Sequence, residues 1–254
     1  MNKRGQVTVF VIVGVVILIL AVLIWYLRST NNVVVPNFFI GDDARIQSIE
    51  TNLKDCVEKA VKPTVLLAAK QGGNLDPINY RNYKGDKVSY LCLNIPGKEQ
   101  CLNIMPPVRI IEEKLKNNIA IQIDNCVDRD LLGTDVKGSK NIKVDVAMRR
   151  DSVVVDTNYD VTFVNNNVEM PLGKVTTVVS DIPFVELYDV VHDVVNAQAI
   201  DGDFEQLFYM LGKRGKIEIQ VDRPYPDKVF IVNKKDSDFK FQFAIQGEEE
   251  TSSL

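Results

Sequence analysis

The chain has 254 residues, 46% hydrophobic and 25% charged. That leaves room for a membrane segment plus one large domain or two small ones, and is too apolar for a disordered chain. Lys3, Arg4 and Arg28 precede every acid, so residues 29–254 carry 27 basic against 34 acidic side chains. A balance of −7 opposes non-specific nucleic-acid binding and a polybasic lipid-binding surface.

Residues 1–6 form a basic leader, and Val7–Leu27 form an apolar run broken only by Thr8, Gly14 and the Tyr26 hydroxyl. Twenty-one residues at about 1.5 Å each reach roughly 31 Å, the thickness of a bilayer's hydrocarbon core. Trp25 and Tyr26 stand at the far end, where aromatic rings prefer the headgroup region. The sequence therefore predicts a transmembrane helix over 7–27. "LIWYLRST" holds no small-x-small site, which argues against a cleaved secretory signal. Lys3, Arg4 and the amino terminus outweigh Arg28, so the N-terminus is expected in the cytoplasm and the remainder outside. The expected address is the cytoplasmic membrane.

Residues 28–42 read as a linker containing Pro36 and Gly41. An α+β domain is expected over 43–246, with a subdivision near 133–139 left open. A first helix places Ile46, Ile49, Leu53, Cys56 and Ala60 on one stripe, with Asp42 or Asp43 as its N-cap. Pro63 is expected to kink or end it, and "KQGGN" to stop what remains. "KVSYLCLNI" and "QCLNI" form a strand pair. "PPVRIIEEKLKNNIAIQIDNCVDRDLL" forms a second helix, with Val108, Ile111, Leu115, Ile119, Ile123 and Cys126 facing inward.

"GTDVKGSK" is expected as a loop. "NIKVDVAMRRDSVVVDTNYDVTFVNNN" alternates apolar and polar side chains, the pattern of an antiparallel meander. "DIPFVELYDVVHDVVNAQAI" is a third helix burying Phe184, Leu187, Tyr188, Val191 and Val195. "DGDFEQLFYML" starts a fourth, or continues the third. Strands at "KIEIQVD", "KVFIVN" and "FKFQFAI" close the domain, and 247–254 is an acidic tail. Helical and antiparallel blocks without βαβ spacing give an α+β class, with amphipathic helices packed on antiparallel sheet.

Cys56, Cys92, Cys101 and Cys126 are an even set with no C-x-x-C, and His192 is the only histidine, so a zinc site is not expected. A turn at Pro96–Gly97 would set Cys92 opposite Cys101, and Cys56 and Cys126 share a "CV" context. Those pairs are the favoured disulfides, although four cysteines allow three pairings and four reduced thiols remain the alternative. His192 has Asp189, Asp193 and Asn196 nearby on its helix, which imitates a base with its orienting acid, but no nucleophile motif accompanies it. Asp201, Asp203 and Glu205 faintly resemble a calcium loop, and Asp203 with Gln206 fits a capping box better. "KQGGN" lacks every phosphate-loop pattern. The Phe239–Phe243 strand is core, or an edge able to pair with a partner strand. No catalytic, cofactor or metal residue is assigned, and an enzyme is not expected.

The "KRGQ" start followed by the apolar run resembles the class III signal of archaeal type IV pilin-like proteins. The resemblance implies cleavage by a prepilin peptidase between Gly5 and Gln6, then packing of the apolar helix into a filament. The family's frequent glutamate falls at Phe10 here. The rest is similar to archaeal proteins that carry this anchor before a large external α+β domain. Two functional readings lead, and a third, an extracytoplasmic enzyme using His192, trails them. One is a single-pass surface protein whose partners are the bilayer and envelope proteins. The other is a minor pilin-like subunit that joins a homo-oligomer or filament.

Overall fold

The computed structural model describes Leu18 and residues 37–95, 97–98, 100–128, 136–165 and 168–247. Contacts divide the chain into units Met1–Ser48 and Ile49–Leu254. Among the described residues the fold is α+β, with four helices and two sheets in which antiparallel pairing dominates. Gly5, Gln6, residues 7–27 apart from Leu18, Pro36 and residues 129–135 lie outside the described residues. So does the tail after Gly247.

Helix α1 spans Asn37–Lys70 and buries Leu53, Cys56, Val57, Ala60, Val61 and Val65 along one stripe. It begins within the stretch expected as a linker, so Asp42 and Asp43 are interior residues and not its N-cap. The lone Gly41 costs about 1 kcal/mol, too little to break so long a helix. Pro63 does not end it either. The carbonyl deprived of its donor belongs to Lys59, and both residues are exposed, so water can replace the missing bond. The helix stops where the sequence indicates. Gly73 N donates to Ala68 O and Gly72 N to Ala69 O, with both glycines at positive φ. A β-carbon on Gly72 would lie 2.9 Å from Ser89 Cβ, so this turn also needs glycine for its close approach to a strand.

Helix α2 spans Val108–Cys126 and buries Ile111, Leu115, Ile119 and Ile123 of the expected stripe, whereas at its two ends Val108 is only half-buried and Cys126 is exposed. It runs antiparallel to α1. Asn52 Oδ1 accepts from Asp128 N at 3.1 Å, and Thr64 Oγ1 accepts from Gln122 Nε2 at 2.7 Å. Cys56 and Cys126 join the two helices in a disulfide.

The larger sheet has the order β1-β2-β10-β9-β8, with β3 on the far half of β2. Its strands are β1 (Tyr80–Tyr83), β2 (Asp86–Asn94), β3 (Cys101–Asn103), β8 (Ile217–Asp222), β9 (Lys228–Lys234) and β10 (Lys240–Ile245). Strand β1 had no expectation behind it; Lys84 and Gly85, both at positive φ, turn it into β2. In the β2–β3 hairpin Cys92 pairs with Asn103, and Cys101 pairs with Asn94. The Cys92–Cys101 disulfide is therefore diagonal and not directly opposite, because six residues rather than four lie between the strands.

The aromatic strand is core. β10 lies between β2 and β9, so it offers no free edge. Its pairing with β2 is parallel, a departure from the antiparallel expectation. Helix α3 (Phe184–Asp201) covers one face of this sheet. There Phe184 meets Phe241 and Phe239 edge-on at 5.3 and 6.4 Å, while Phe230 stacks on Phe243. Val88, Val229, Ile231, Ala244 and Tyr83 form a smaller cluster of their own, with Tyr90 packed against it.

The second sheet is built on β5 (Ser152–Asn165), with β4 (Val136–Met148) on one side and β6 (Val168–Pro171) and β7 (Lys174–Ser180) on the other. Alternate β5 residues from Val153 to Phe163 are buried, as the period of two requires. Part of the expected "GTDVKGSK" loop is strand, since Val136 and Gly138 pair with Phe163 and Val161. The partner strand supplies a ladder that local turn propensity cannot reveal. Helix α2 is tied to β4 by Lys116 Nζ on Asp145 at 2.6 Å and Met148 N donating to Glu112 Oε1 at 2.7 Å.

Candidate functional site

An open groove of about 710 Å³ lies where the two sheets meet the start of α3. Asp151 comes from the β4–β5 turn, Ser180 and Asp181 from the β7–α3 link, Lys234 and Asp236 from the β9–β10 hairpin, and Lys62 from α1. Lys234 is the hub. Its Nζ stands 2.9 Å from Glu186 and 3.3 Å from Asp151, while Arg150 approaches the other oxygen of Glu186 at 3.7 Å. The hydrogen bond to Glu186 holds the Lys234 ammonium above the ordinary lysine range, and Asp151 adds to it. The most central cation is thus already paired, and the groove presents charges of both signs.

His192 is exposed on α3, with Asn196 Nδ2 3.2 Å from its ring nitrogens. Asp193, the acid beside it, instead accepts from the Tyr209 hydroxyl at 2.6 Å. His192 is not among the residues lining the groove, and among the described residues every cysteine is in a disulfide. The imitation of a base with its orienting acid is a surface histidine here. Tyr188, expected inside, is only half-buried and spends its hydroxyl on Pro106 O at 3.0 Å.

The "DGDFE" segment is a connection. Gly202 ends α3 in the left-handed conformation, and α4 (Gln206–Gly212) begins after Glu205. No side-chain cap bond forms, so Asp203 does not open a capping box; it faces Lys228 at 4.0 Å. Among the described residues no group of three or more histidine, cysteine or carboxylate ligands could hold a metal.

Sequence reasoning passed over two clusters. Asp227, 3% exposed, accepts from the Tyr90 hydroxyl at 2.6 Å, pairs with Arg81 at 3.2 Å and accepts from Gly247 N at 3.0 Å. Burial first, and then Asp227, push the Tyr90 hydroxyl up to about 12. This knot joins β2, the β8–β9 turn and the end of β10, so its role is structural. The second cluster is α4. Leu207, Phe208 and Leu211 are 62%, 72% and 65% exposed, and Lys213, Arg214 and Lys216 follow immediately, all exposed. The adjacency of "LFYML" and "GKRGK" was its signal, hidden by a net charge that says nothing about clustering.

No family model matches the chain, no curated protein matches its sequence, and no solved structure matches its fold.

Proposed function

We propose that the chain is a single-pass protein of the cytoplasmic membrane, anchored by residues 7–27, whose α+β domain faces outward and binds or scaffolds protein partners. The observation that carries this reading is the pair of disulfides, Cys56–Cys126 and Cys92–Cys101, which take up all four cysteines. Structural disulfides persist on the oxidising side of a membrane and are rare in a reducing cytoplasm. An apolar run long enough to span a bilayer, with the basic leader behind it, supports the same orientation. Among the described residues no helix is long and apolar enough to cross a membrane, and the proposed span lies outside them apart from Leu18. The groove beside Lys234 is where a polar partner segment would dock.

The test is thiol alkylation of the protein in intact cells and membranes, paired with protease accessibility. The expected result is no alkylation without reductant, four modified cysteines after reduction, and external digestion of the domain. Four reactive thiols in the native protein, or a domain shielded from external protease, would sink the reading. The "KRGQ" letters favour a second reading, a minor pilin-like subunit cut at Gly5–Gln6. Intact mass separates the two: loss of Met1–Gly5 supports the subunit, and a full-length N-terminus removes it.

A further inference from the structure

Helix α4 exposes what a domain surface normally hides. None of its seven residues is buried, and Leu207, Phe208 and Leu211 project outward together. Contiguous apolar side chains at such exposure mark a contact surface. The helix is not loose. Tyr209 donates to Asp193, Met210 Sδ accepts from Ile219 N at 3.2 Å, and Phe204 packs on the Tyr209 ring. These inward contacts fix which face is left outside.

The turn after α4 is equally defined. Arg214 N donates to Leu211 O, Gly215 N to Met210 O and Lys216 N to Lys213 O, and Lys235 N reaches Lys216 O at 2.8 Å. Lys213 Nζ rests 4.9 Å from the Tyr209 ring centroid, beside the apolar face. Among the described residues, Lys213, Arg214 and Lys216 form no ion pair with a carboxylate. Three uncompensated cations thus border three exposed apolar side chains, in a region where acids outnumber bases.

We infer that α4 and its C-terminal turn form a bilayer-docking surface, with Leu207, Phe208 and Leu211 entering the headgroup boundary and Lys213, Arg214 and Lys216 contacting anionic headgroups. The charge complementarity selects lipid over a protein occupant. Apolar side chains edged by bases match an interfacial helix, whereas protein interface cores are depleted in lysine. Asp201, Asp203 and Glu205 sit before the helix, so its charge is graded and only the C-terminal end faces the headgroups. This inference rests on the anchored reading. A tether holding the domain at the bilayer raises the effective lipid concentration, so a small patch suffices to orient the domain. Nine residues lie between Leu27 and Asn37, and the ten Cα steps reach at most about 35 Å, so the tether is short.

The experiment uses the full chain in proteoliposomes, with Trp25→Phe removing the only tryptophan and Phe208→Trp supplying a reporter. In bilayers containing phosphatidylglycerol, acyl chains brominated near the headgroup should lower the emission at least about twofold. Exchanging phosphatidylglycerol for phosphatidylcholine should remove most of that loss. So should Lys213→Glu, Arg214→Glu and Lys216→Glu together, with disulfide formation on non-reducing gels confirming the fold. An unquenched indole overturns the inference, whether it stays in water or is blue-shifted by a protein partner or second copy. Quenching that ignores both charge changes overturns it as well. Flotation of the same vesicles distinguishes the two failures. A chain missing from the lipid fraction sinks the anchored reading and this inference with it, whereas a floating chain with an unquenched indole sinks only the docking surface.

Discussion

The α1–α2 pair and the β2–β3 hairpin are each closed by a disulfide, but the two bonds meet different problems. Cys92 and Cys101 are 9 residues apart in a hairpin whose ladder already brings them together. Cys56 and Cys126 are 70 apart, with two strand pairs between them. In the chain-entropy treatment the longer loop is worth about 4.4 kcal/mol and the shorter about 2.6 kcal/mol. The hairpin also has other anchors: Gln246 N donates to Cys92 O, Gln246 Oε1 accepts from Asn94 N, and Tyr90 reaches Asp227. Covalent closure contributes most where the chain must bring distant segments together.

The strongest way to break this comparison is Cys56→Ala with Cys126→Ala, which should lower the unfolding free energy by about 4 kcal/mol in urea titrations followed by circular dichroism. Cys92→Ala with Cys101→Ala should cost about 2.6 kcal/mol. A hairpin loss equal to the helix-pair loss would show that loop length is not what separates them. Pro63→Ala moves the other way. It replaces a helix-interior proline, about 3 kcal/mol less favourable than alanine, and because water already reaches the exposed Lys59 O a smaller gain of about 1–2 kcal/mol is expected in the same titrations.

The finest test is alkaline. The Tyr90 hydroxyl is raised from 10.0 to about 12, by burial first and the Asp227 hydrogen bond second. Its stabilising contribution is therefore complete below pH 10 and is lost as pH climbs toward 12, because the unfolded chain ionises first. Urea midpoints for the native chain should fall through that window. Tyr90→Phe should flatten this part of the fall while lowering stability at neutral pH. An unchanged alkaline slope would remove Tyr90 from the account.

The amphipathic stripes of α1, α2 and α3 were legible because burial repeats every three or four residues within a single segment. The same holds for the alternating Phe239, Phe241 and Phe243. Local reading failed where a distant partner decided. Val136 and Gly138 look like loop until Phe163 and Val161 supply a ladder, and β1 exists because Lys84–Gly85 turns it back onto β2. Asp203 looked like a cap, yet α4 starts two residues later and Asp203 turns to Lys228. Exposure of α4 was also hidden, since the five apolar residues Leu207–Leu211 read as buried until their neighbours partly cover only Tyr209 and Met210.

By itself the sequence determined the α+β class, three of the helical stripes, the favoured cysteine pairs and an apolar run of bilayer length. Those follow from local periodicity, composition and spacing, which the linear chain carries in full. Only the tertiary structure decided that β10 runs parallel to β2 at the centre of its sheet, that His192 faces water and that the apolar side of α4 next to three cations is left exposed. Strand order and exposure are relations between segments far apart in the chain, and the free energies that set them arise when those segments meet.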